Sequence, residues 1–266
     1  MRFACLVPVV LLGLLILGVL FGLMSHLSPW KILATLKNPE TLFALRLTLV
    51  TSGAATLLAT FLGVPAGYYL ARYPFRGKVL VDTLIDLPMT LTPLVVGVGL
   101  LFLLGNDLVA GATRTLGVQL LFTPLGAVLA QTFIAAPIMT RAGKSAFAAV
   151  DCRYEKAAQT LGLRPWQVFV RISLPIALPM ILSGVVLSWA RTVGEFGATL
   201  MVAGATRFRT ETLPIAVYLN ISSGELGIAL ACAWLLILTG FLVLLLLKWI
   251  GSPLVAGNPA AARMGI

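Results

Sequence analysis

Few residues of this chain have side chains that could carry acid–base, nucleophilic or metal chemistry. The 266 residues include nine Asp and Glu, three Cys and one His, which is His26. Catalysis within a membrane would need a Ser/His pair, a carboxylate dyad or a metal site, and we find none of these patterns. Cys5, Cys152 and Cys232 are isolated, without the spacing of a zinc site or a disulfide framework. Since the sequence also has no P-loop and no Gly-x-Gly-x-x-Gly motif, we expect a protein that is not an enzyme and holds neither a cofactor nor a metal.

Arg191 and Glu195 are the charged residues best placed for a role inside the membrane. They lie four residues apart in an apolar stretch, so a helix places them on one side. An isolated charge in a span costs about 3 kcal/mol on insertion scales, which favours an ion pair between them. Such a pair fits two roles: a salt bridge that fixes helix packing, or part of a gate or transport pathway. Gly194, Gly197 and Ala198 leave room for close contact with a neighbouring helix.

Two carboxylates, Asp82 and Asp86, have the same four-residue spacing and lie close to a short basic turn. We expect Arg76 or Lys78 in that turn to neutralise them at the membrane interface, and a buried functional pair is the alternative. Two prolines follow in the same apolar stretch, which predicts a kinked or broken helix.

The elements that position these residues are membrane spans. Hydrophobic residues make up 59% of the chain, charged residues only 11%, and the mean hydropathy is +1.03, whereas soluble domains carry about 25% charged residues. Because a helix needs about 20 mostly apolar residues to cross a bilayer, the sequence predicts an all-α membrane protein, with a single transmembrane domain over 1–266. Its six predicted transmembrane helices cover about 3–24, 45–70, 80–104, 124–148, 176–203 and 226–250.

The first stretch is longer than the core of a signal peptide, which has about 7–15 apolar residues, so we expect a retained helix. The distribution of basic residues predicts the orientation of the whole chain in the membrane. With a cytoplasmic amino terminus, the inner loops and termini hold twelve Lys and Arg and the outer ones hold six, and an excess on the cytoplasmic side is the rule for membrane proteins. We therefore expect a multi-pass protein of the bacterial or archaeal cell (inner) membrane with both termini in the cytoplasm. Contact with lipid then accounts for the net charge of +10 without a nucleic-acid partner.

Between the fourth and fifth predicted spans lies a polar segment, which we call the 150–175 loop. Asp151 is suited to cap a short helix at its amino end, Glu155 favours the first turn, and Gly162 suits the position after the last turn. Pro165 is suited to the first position of a second short helix. The sequence therefore predicts two short helices joined by a tight turn, which form a knob that a partner in the aqueous phase could bind.

Helical spacing assigns one face to each of these two helices. Ala157, Ala158 and Leu161 are expected to share a face of the first, where small side chains let a partner approach closely. Four residues are expected to share a face of the second and to anchor the partner through their aromatic pair; they are Trp166, Phe169, Val170 and Ser173.

The loop resembles the EAA loop of permeases from bacterial binding-protein-dependent ABC importers. The family spacing of two alanines, a glycine, an isoleucine and a Leu-Pro pair is met along the loop, while Lys156 stands where the family usually has Glu and Glu155 lies one residue earlier. This resemblance implies docking of a separate ATPase subunit. The implied coupling residues are Glu155, Lys156, Ala157, Ala158, Gly162, Trp166, Ile172, Leu174 and Pro175.

A second resemblance covers the region around the fifth span. The run Gly194-Glu195-Phe196-Gly197, followed by Thr-Leu-Pro-x-Ala-x-Tyr at 212–218, is similar to oxyanion permeases, and to their molybdate branch in particular. It implies a type I ABC importer (MetI-like) architecture: a homodimer of six-span subunits, two cytoplasmic ATPase subunits and an external or periplasmic substrate-binding protein. The implied function is a molybdate pathway. Tungstate and sulfate or thiosulfate are the alternative substrates, and a secondary transporter, which would leave the loop unexplained, is a less favoured alternative.

Overall fold

The computed structural model describes residues 2–25, 38–115 and 117–256, and these ranges fold into helices without any strand. His26, together with Lys31, Lys37 and Arg263 from the count of basic residues, lies outside them. The helices are α1 Arg2–Ser25, α2 Pro39–Arg72, α3 Lys78–Thr90, α4 Pro93–Gly105, α5 Asp107–Thr115, α6 Pro124–Ala148, α7 Cys152–Thr160, α8 Pro165–Val168, α9 Leu174–Val193, α10 Gly197–Ala203, α11 Leu213–Ser222 and α12 Leu226–Ala256. A π-helical turn, Phe169–Ser173, joins α8 to α9.

Five helical segments in the described ranges are long and apolar enough to cross a membrane. They lie in α1, α2, α6, the α8–α9 unit and α12, and the bent pair α3–α4 would make a sixth. The predicted all-α fold with six spans is confirmed in this form. The apolar side chains of α1 from Leu6 to Leu23 are not buried against the rest of the protein.

The centre of the fold is the packing of α2 along α6, which is the most extensive contact between two helices. Small residues allow this approach: a Cβ atom at Gly63 would lie 2.9 Å from the Cβ of Met139, and one at Gly67 would lie 2.6 Å from the backbone nitrogen of Lys144. The N-terminus of α2 is fixed by Asn38, whose side chain accepts a hydrogen bond from the Glu40 N–H at 3.1 Å. Helix α2 thus provides a continuous rod of 34 residues.

The third predicted span is broken, as its prolines indicated. Helices α3 and α4 meet at an angle of 113°. Pro93 occupies the start of α4, and Thr92 before it is extended at φ −66° and ψ 140°, because a residue that precedes proline is driven out of the helical conformation. Gly97 in α4 then packs against α10, where its Cβ would lie 2.8 Å from the Cα of Ala198.

The fifth predicted span, 176–203, is wrong as one continuous helix. Helix α9 ends at Val193, a short non-helical connection follows, and α10 begins at Gly197. The side chain of Glu195 supplies the reason for the break: its Oε1 accepts a hydrogen bond from the Ala198 N–H at 3.0 Å, so it satisfies the start of the new helix.

Helix α11, Leu213–Ser222, is absent from the predicted elements because ten residues are too few for a span. It nonetheless forms part of the core at the end of the protein where α2 begins. Leu213 and Ala216 are completely buried and pack with Ala44 of α2 and with Cys232 and Leu235 of α12.

Candidate functional site

The local structure of the 150–175 loop follows the sequence closely. Asp151 caps α7 by accepting a hydrogen bond from the Arg153 N–H at 2.9 Å. Gly162 follows α7 with a φ of +88°, a conformation that favours glycine. Pro165 stands at the first position of α8. The two predicted short helices and the turn between them are therefore confirmed.

The predicted outer face of α7 is only partly correct. Lys156, Ala157 and Leu161 are exposed, and Leu161 has 83% of its surface accessible. Ala158 is instead buried together with Glu155, because these two residues are three apart and face the body of the protein. The face that a partner could contact thus contains Ala157 and Leu161 without Ala158.

The predicted aromatic anchor of the second helix is wrong as a pair. Trp166 is 64% exposed, whereas Phe169 packs inward, with ring centroids 4.7 Å from Tyr68 and 5.8 Å from Phe147. Ser173 is fully buried. Trp166 and Val170 therefore lie on the exposed side of this segment, whereas Phe169 and Ser173 lie on the side that faces the body of the protein.

The last three implied coupling residues lie where the loop becomes α9. Ile172 and Leu174 are half-buried, and Leu174 packs against the core formed by α2, α6 and α9. Pro175 is exposed in the first turn of α9. Their positions make this part of the loop a continuous extension of the span.

A residue that the sequence did not single out, Arg72, joins the loop to α2. Its Nε donates to Glu155 Oε1 at 2.9 Å, and the hydroxyl of Ser173 donates to the same oxygen at 2.6 Å. We call Arg72, Glu155 and Ser173 the Arg72 junction. The sequence gives Arg72 only as one of the basic residues in the inner loops. Nothing in the spacing links it to Glu155, which lies 83 positions later.

Arg191 and Glu195 form the predicted ion pair, with Arg191 Nη1 at 2.6 Å from Glu195 Oε2. The Glu195 side chain is 1% exposed, whereas that of Arg191 is 38% exposed. The pair bridges the break between α9 and α10, because Glu195 also accepts from the Ala198 N–H. It therefore fixes the two helices relative to each other and leaves part of the guanidinium accessible.

Asp82 and Asp86 have other partners than the predicted Arg76 or Lys78. Asp82 Oδ2 lies 2.6 Å from Lys144 Nζ, and Asp86 Oδ2 lies 2.5 Å from Arg141 Nη2. Both aspartates belong to the side of α3 that faces α6, which places them next to the basic residues of α6. The pairs thus join two helices instead of neutralising the adjacent turn.

A buried carboxylate pair lies at the end of the protein opposite the 150–175 loop. Glu211, in the connection between α10 and α11, accepts a hydrogen bond from the Phe208 N–H at 3.1 Å. Burial, together with the nearby Glu40, raises the pKa of Glu211 to about 7, although the hydrogen bond from the Phe208 N–H and the charge of Arg207 lower it. Glu40 Oε1 lies 3.6 Å from Arg207 Nε and 3.4 Å from Asn220 Nδ2. The sequence reasoning missed this pair, whose members are 171 residues apart.

Comparison with protein families assigns the chain that contains these broken spans and this ordered polar loop to a known family. The family described as "Binding-protein-dependent transport system inner membrane component" matches residues 63–254. The chain belongs to this family. It is therefore a membrane component of a transport system, and the match covers the end of α2, α3 to α11 with the 150–175 loop, and most of α12.

Relatives of this permease agree with that assignment. It is 38% identical to the molybdenum transport system permease protein ModB of Mycobacterium tuberculosis over 81% of each chain. It is also 38% identical to ModB of Escherichia coli K12, over 78% of this chain and 92% of the relative. The molybdate/tungstate transport system permease protein WtpB of Thermococcus kodakarensis is 40% identical over 64% of each chain.

Solved structures share the fold of this permease at low sequence identity. A bacterial ABC transporter involved in the import of alginate has a chain with a TM-score of 0.76 and 18% identity, covering 94% of each chain. The MetNI methionine ABC transporter in an inward-facing conformation has a TM-score of 0.61 and 17% identity, over 79% of this chain and 94% of the other. The predicted MetI-like architecture is thereby confirmed.

Proposed function

We propose that this permease is the membrane-spanning subunit of an ABC importer and forms the pathway for molybdate. The observation that carries the proposal is its 38% identity to ModB of Mycobacterium tuberculosis across 81% of both chains. Tungstate is the second candidate substrate, because the relative from Thermococcus kodakarensis is named for both molybdate and tungstate. Sulfate and thiosulfate have less support, since they rest on the Gly-Glu-Phe-Gly resemblance alone.

The proposed power source is a separate ATPase subunit that docks on the 150–175 loop. The exposed surface of α7 and α8 offers a cation in Lys156, a small residue in Ala157 and two large apolar side chains in Leu161 and Trp166. Exposed large apolar groups with an adjacent charge are typical of a protein-binding surface. ATP binding and hydrolysis would occur in the partner, and the permease would change between inward-facing and outward-facing states.

The proposed assembly contains two copies of this permease, two ATPase subunits and a substrate-binding protein outside the membrane. We place the 150–175 loop in the cytoplasm with both termini, on the excess of basic residues expected there. The carboxylate pair at the other end of the protein then faces the side from which the binding protein delivers its anion. A homodimer is consistent with the many exposed apolar side chains of the spans.

Arg191 and Glu195 are the proposed pathway residues. The partly accessible guanidinium of Arg191 gives an oxyanion a cation to approach, and the buried Glu195 limits how long the anion stays there. Because the same pair fixes α9 to α10, movement of either helix would change the distance between the two charges. The two roles considered for the pair, packing and gating, are therefore combined in one contact.

Uptake by reconstituted vesicles tests this function. The permease is reconstituted with the ATPase subunits and the binding protein of its own transport system, and accumulation of molybdate, tungstate and sulfate is measured by elemental mass spectrometry. We expect ATP-dependent molybdate uptake that tungstate inhibits and sulfate does not. Uptake that needs no ATP would instead support a secondary transporter, and equal efficiency with sulfate would contradict the molybdate assignment.

A further inference from the structure

The two halves of the 150–175 loop meet at one carboxylate oxygen, that of Glu155, beside the arginine at the end of α2. Arg72 contacts Glu155 of α7 through two nitrogens, with Nε and Nη2 each 2.9 Å from Oε1. Ser173, at the start of α9, donates to that same oxygen at 2.6 Å. One carboxylate oxygen therefore ties α7, α9 and α2 together.

The guanidinium of Arg72 also binds the segment in front of α7. Its Nη2 donates to the backbone oxygen of Val150 at 2.8 Å, and its Nη1 lies 3.2 Å from Cys152 Sγ. All three nitrogens of the planar group thus have partners in the loop, which fixes its orientation more strictly than a flexible lysine ammonium would.

Burial distinguishes the Arg72 junction from the surface ion pairs of the protein. The side chains of Arg72 and Glu155 are 9% and 10% exposed. Tyr68, one turn before Arg72, packs its ring against Phe147 of α6 and Phe169 of the π-helical turn, at 5.1 and 4.7 Å between centroids. A buried pair with additional hydrogen bonds resists separation, because either charge alone would be left unpaired. The Glu155 carboxylate is accordingly occupied within this chain and is not available to a partner.

Helix α2 leads from the junction to the proposed pathway. Its Thr56 hydroxyl lies 3.2 Å from that of Thr192, and the indole N–H of Trp189 donates to Ser52 at 3.0 Å. Thr192 and Trp189 flank Arg191 in the sequence. Sixteen residues of helix, about 24 Å, separate Thr56 from Arg72, so one continuous helix contacts both the loop and the segment that carries the ion pair.

We propose that Arg72, Glu155 and Ser173 are positioning residues for transport, which pass the movement of a docked ATPase from the 150–175 loop to α2. This inference rests on the proposed ABC importer function. It separates the loop into an exposed surface that binds the partner and an inner junction that connects this surface to the spans. Loss of the junction leaves the surface in place but lets the loop move without α2.

Conservative substitutions in the complete importer test the proposal. Glu155→Gln removes the charge, Arg72→Lys keeps the charge but loses the planar group, and Ser173→Ala removes one hydrogen bond while the ion pair remains. We expect all three variants to bind the ATPase subunits as the wild type does. Molybdate uptake should fall at least tenfold in Glu155→Gln, less in Arg72→Lys and least in Ser173→Ala, while ATP hydrolysis continues. Arg76→Gln, which removes an exposed cation from the next turn of chain, is the matched control and should transport normally.

A distance measurement separates this role from general destabilisation. Spin labels at Leu62 of α2 and Thr160 of α7, both exposed, are introduced after Cys5 and Cys232 are replaced by alanine and Cys152 by serine, whose hydroxyl still accepts a hydrogen bond from Arg72 Nη1. We expect one narrow distance with the junction intact, and a broader distribution in Glu155→Gln although the spans remain folded.

Two results would overturn the inference. Wild-type uptake in Glu155→Gln and Ser173→Ala would mean that the junction transmits nothing. Loss of ATPase binding in these variants would mean that Glu155 belongs to the docking surface. Both results leave the proposed function intact, because that function is tested on the wild-type complex through its assembly, its use of ATP and its choice of substrate.

Discussion

Replacing Gly162 by valine should weaken ATPase docking without disturbing the spans. Gly162 ends α7 in a Schellman motif, in which its N–H donates to Gln159 O at 2.9 Å and the Leu163 N–H donates to Ala158 O at 3.1 Å. Its φ of +88° suits glycine, yet a Cβ there would meet no atom within 4 Å. The substitution therefore acts through the backbone conformation and not through a steric clash.

The size of the effect follows from the left-handed conformation. Such a conformation costs an ordinary L-residue about 1–2 kcal/mol, and a β-branched residue falls at the upper end. A cost of about 2 kcal/mol shifts an equilibrium by about thirtyfold. If the turn rearranges to relieve this strain, the docking conformation is depleted, and the apparent affinity for the ATPase subunit falls by up to that factor.

Binding of the ATPase subunit to the purified permease, followed by fluorescence titration, measures this effect. Gly77→Val is the matched control, because Gly77 has a φ of +86° and equally open surroundings but lies in another loop. We expect Gly162→Val to bind about ten to thirtyfold more weakly, Gly162→Asn to bind almost normally because asparagine tolerates this conformation, and Gly77→Val to bind as the wild type does.

Two outcomes would refute this reasoning. Unchanged affinity in Gly162→Val would show that the turn does not organise the docking surface. An equal loss of affinity in Gly77→Val would show that a strained loop anywhere in the permease weakens binding, so that the effect does not belong to the 150–175 loop.

Other substitutions test the ion pairs, the helix packing and the buried carboxylate, each by unfolding of the purified permease. Asp82→Lys should lower the free energy of unfolding by less than about 1 kcal/mol, because the pair of Asp82 with Lys144 is partly exposed. Adding Lys144→Asp to that variant restores opposite charges and should restore the free energy of unfolding. Gly67→Ala should lower the free energy of unfolding by about 1–3 kcal/mol, because the added Cβ would lie 2.6 Å from the backbone nitrogen of Lys144 in α6. Gly53→Ala should leave it unchanged, because the added Cβ would meet no atom within 4 Å. The pKa of Glu211 is about 7 in the folded protein against an ordinary value of 4.5, so its contribution to stability is complete below pH 4.5 and is lost as the pH rises to about 7. The decline should reach at most about 3 kcal/mol and disappear in Glu211→Gln.

Local signals in the sequence were sufficient for the loop itself. Asp151, Gly162 and Pro165 act through hydrogen bonds and backbone angles of their immediate neighbours, so their roles could be predicted without knowledge of the fold. The same holds for the break between α3 and α4, where Pro93 restricts the residue before it. The pairing of Arg191 with Glu195 was predictable because a single helical turn separates them.

Contacts between distant segments could not be predicted in this way. The partners of Asp82 and Asp86 are on α6, and the partner of Glu155 is at the end of α2, so each depends on how the helices pack. The inward position of Phe169 depends on its ring contacts with Tyr68 of α2 and Phe147 of α6, both of which are distant in the sequence. The break at Gly194 depends on Glu195 capping α10 with its side chain, although the same residues also fit a thin, continuous helix.

The adjacent residues Glu155 and Lys156 belong to different parts of the proposed mechanism, Lys156 to ATPase docking and Glu155 to transmission. Successive residues of a helix point about 100° apart, so Glu155 faces Arg72 while Lys156 is exposed. The EAA pattern that the loop resembles usually has Glu at the position of Lys156, which is the outward one. A change of charge there alters what the ATPase must present, namely an acceptor for a cation, but it leaves the inward carboxylate and its bonds to α2 and α9 unchanged. We therefore expect the recognition of the ATPase to vary independently of the Arg72 junction, because the two depend on different faces of α7.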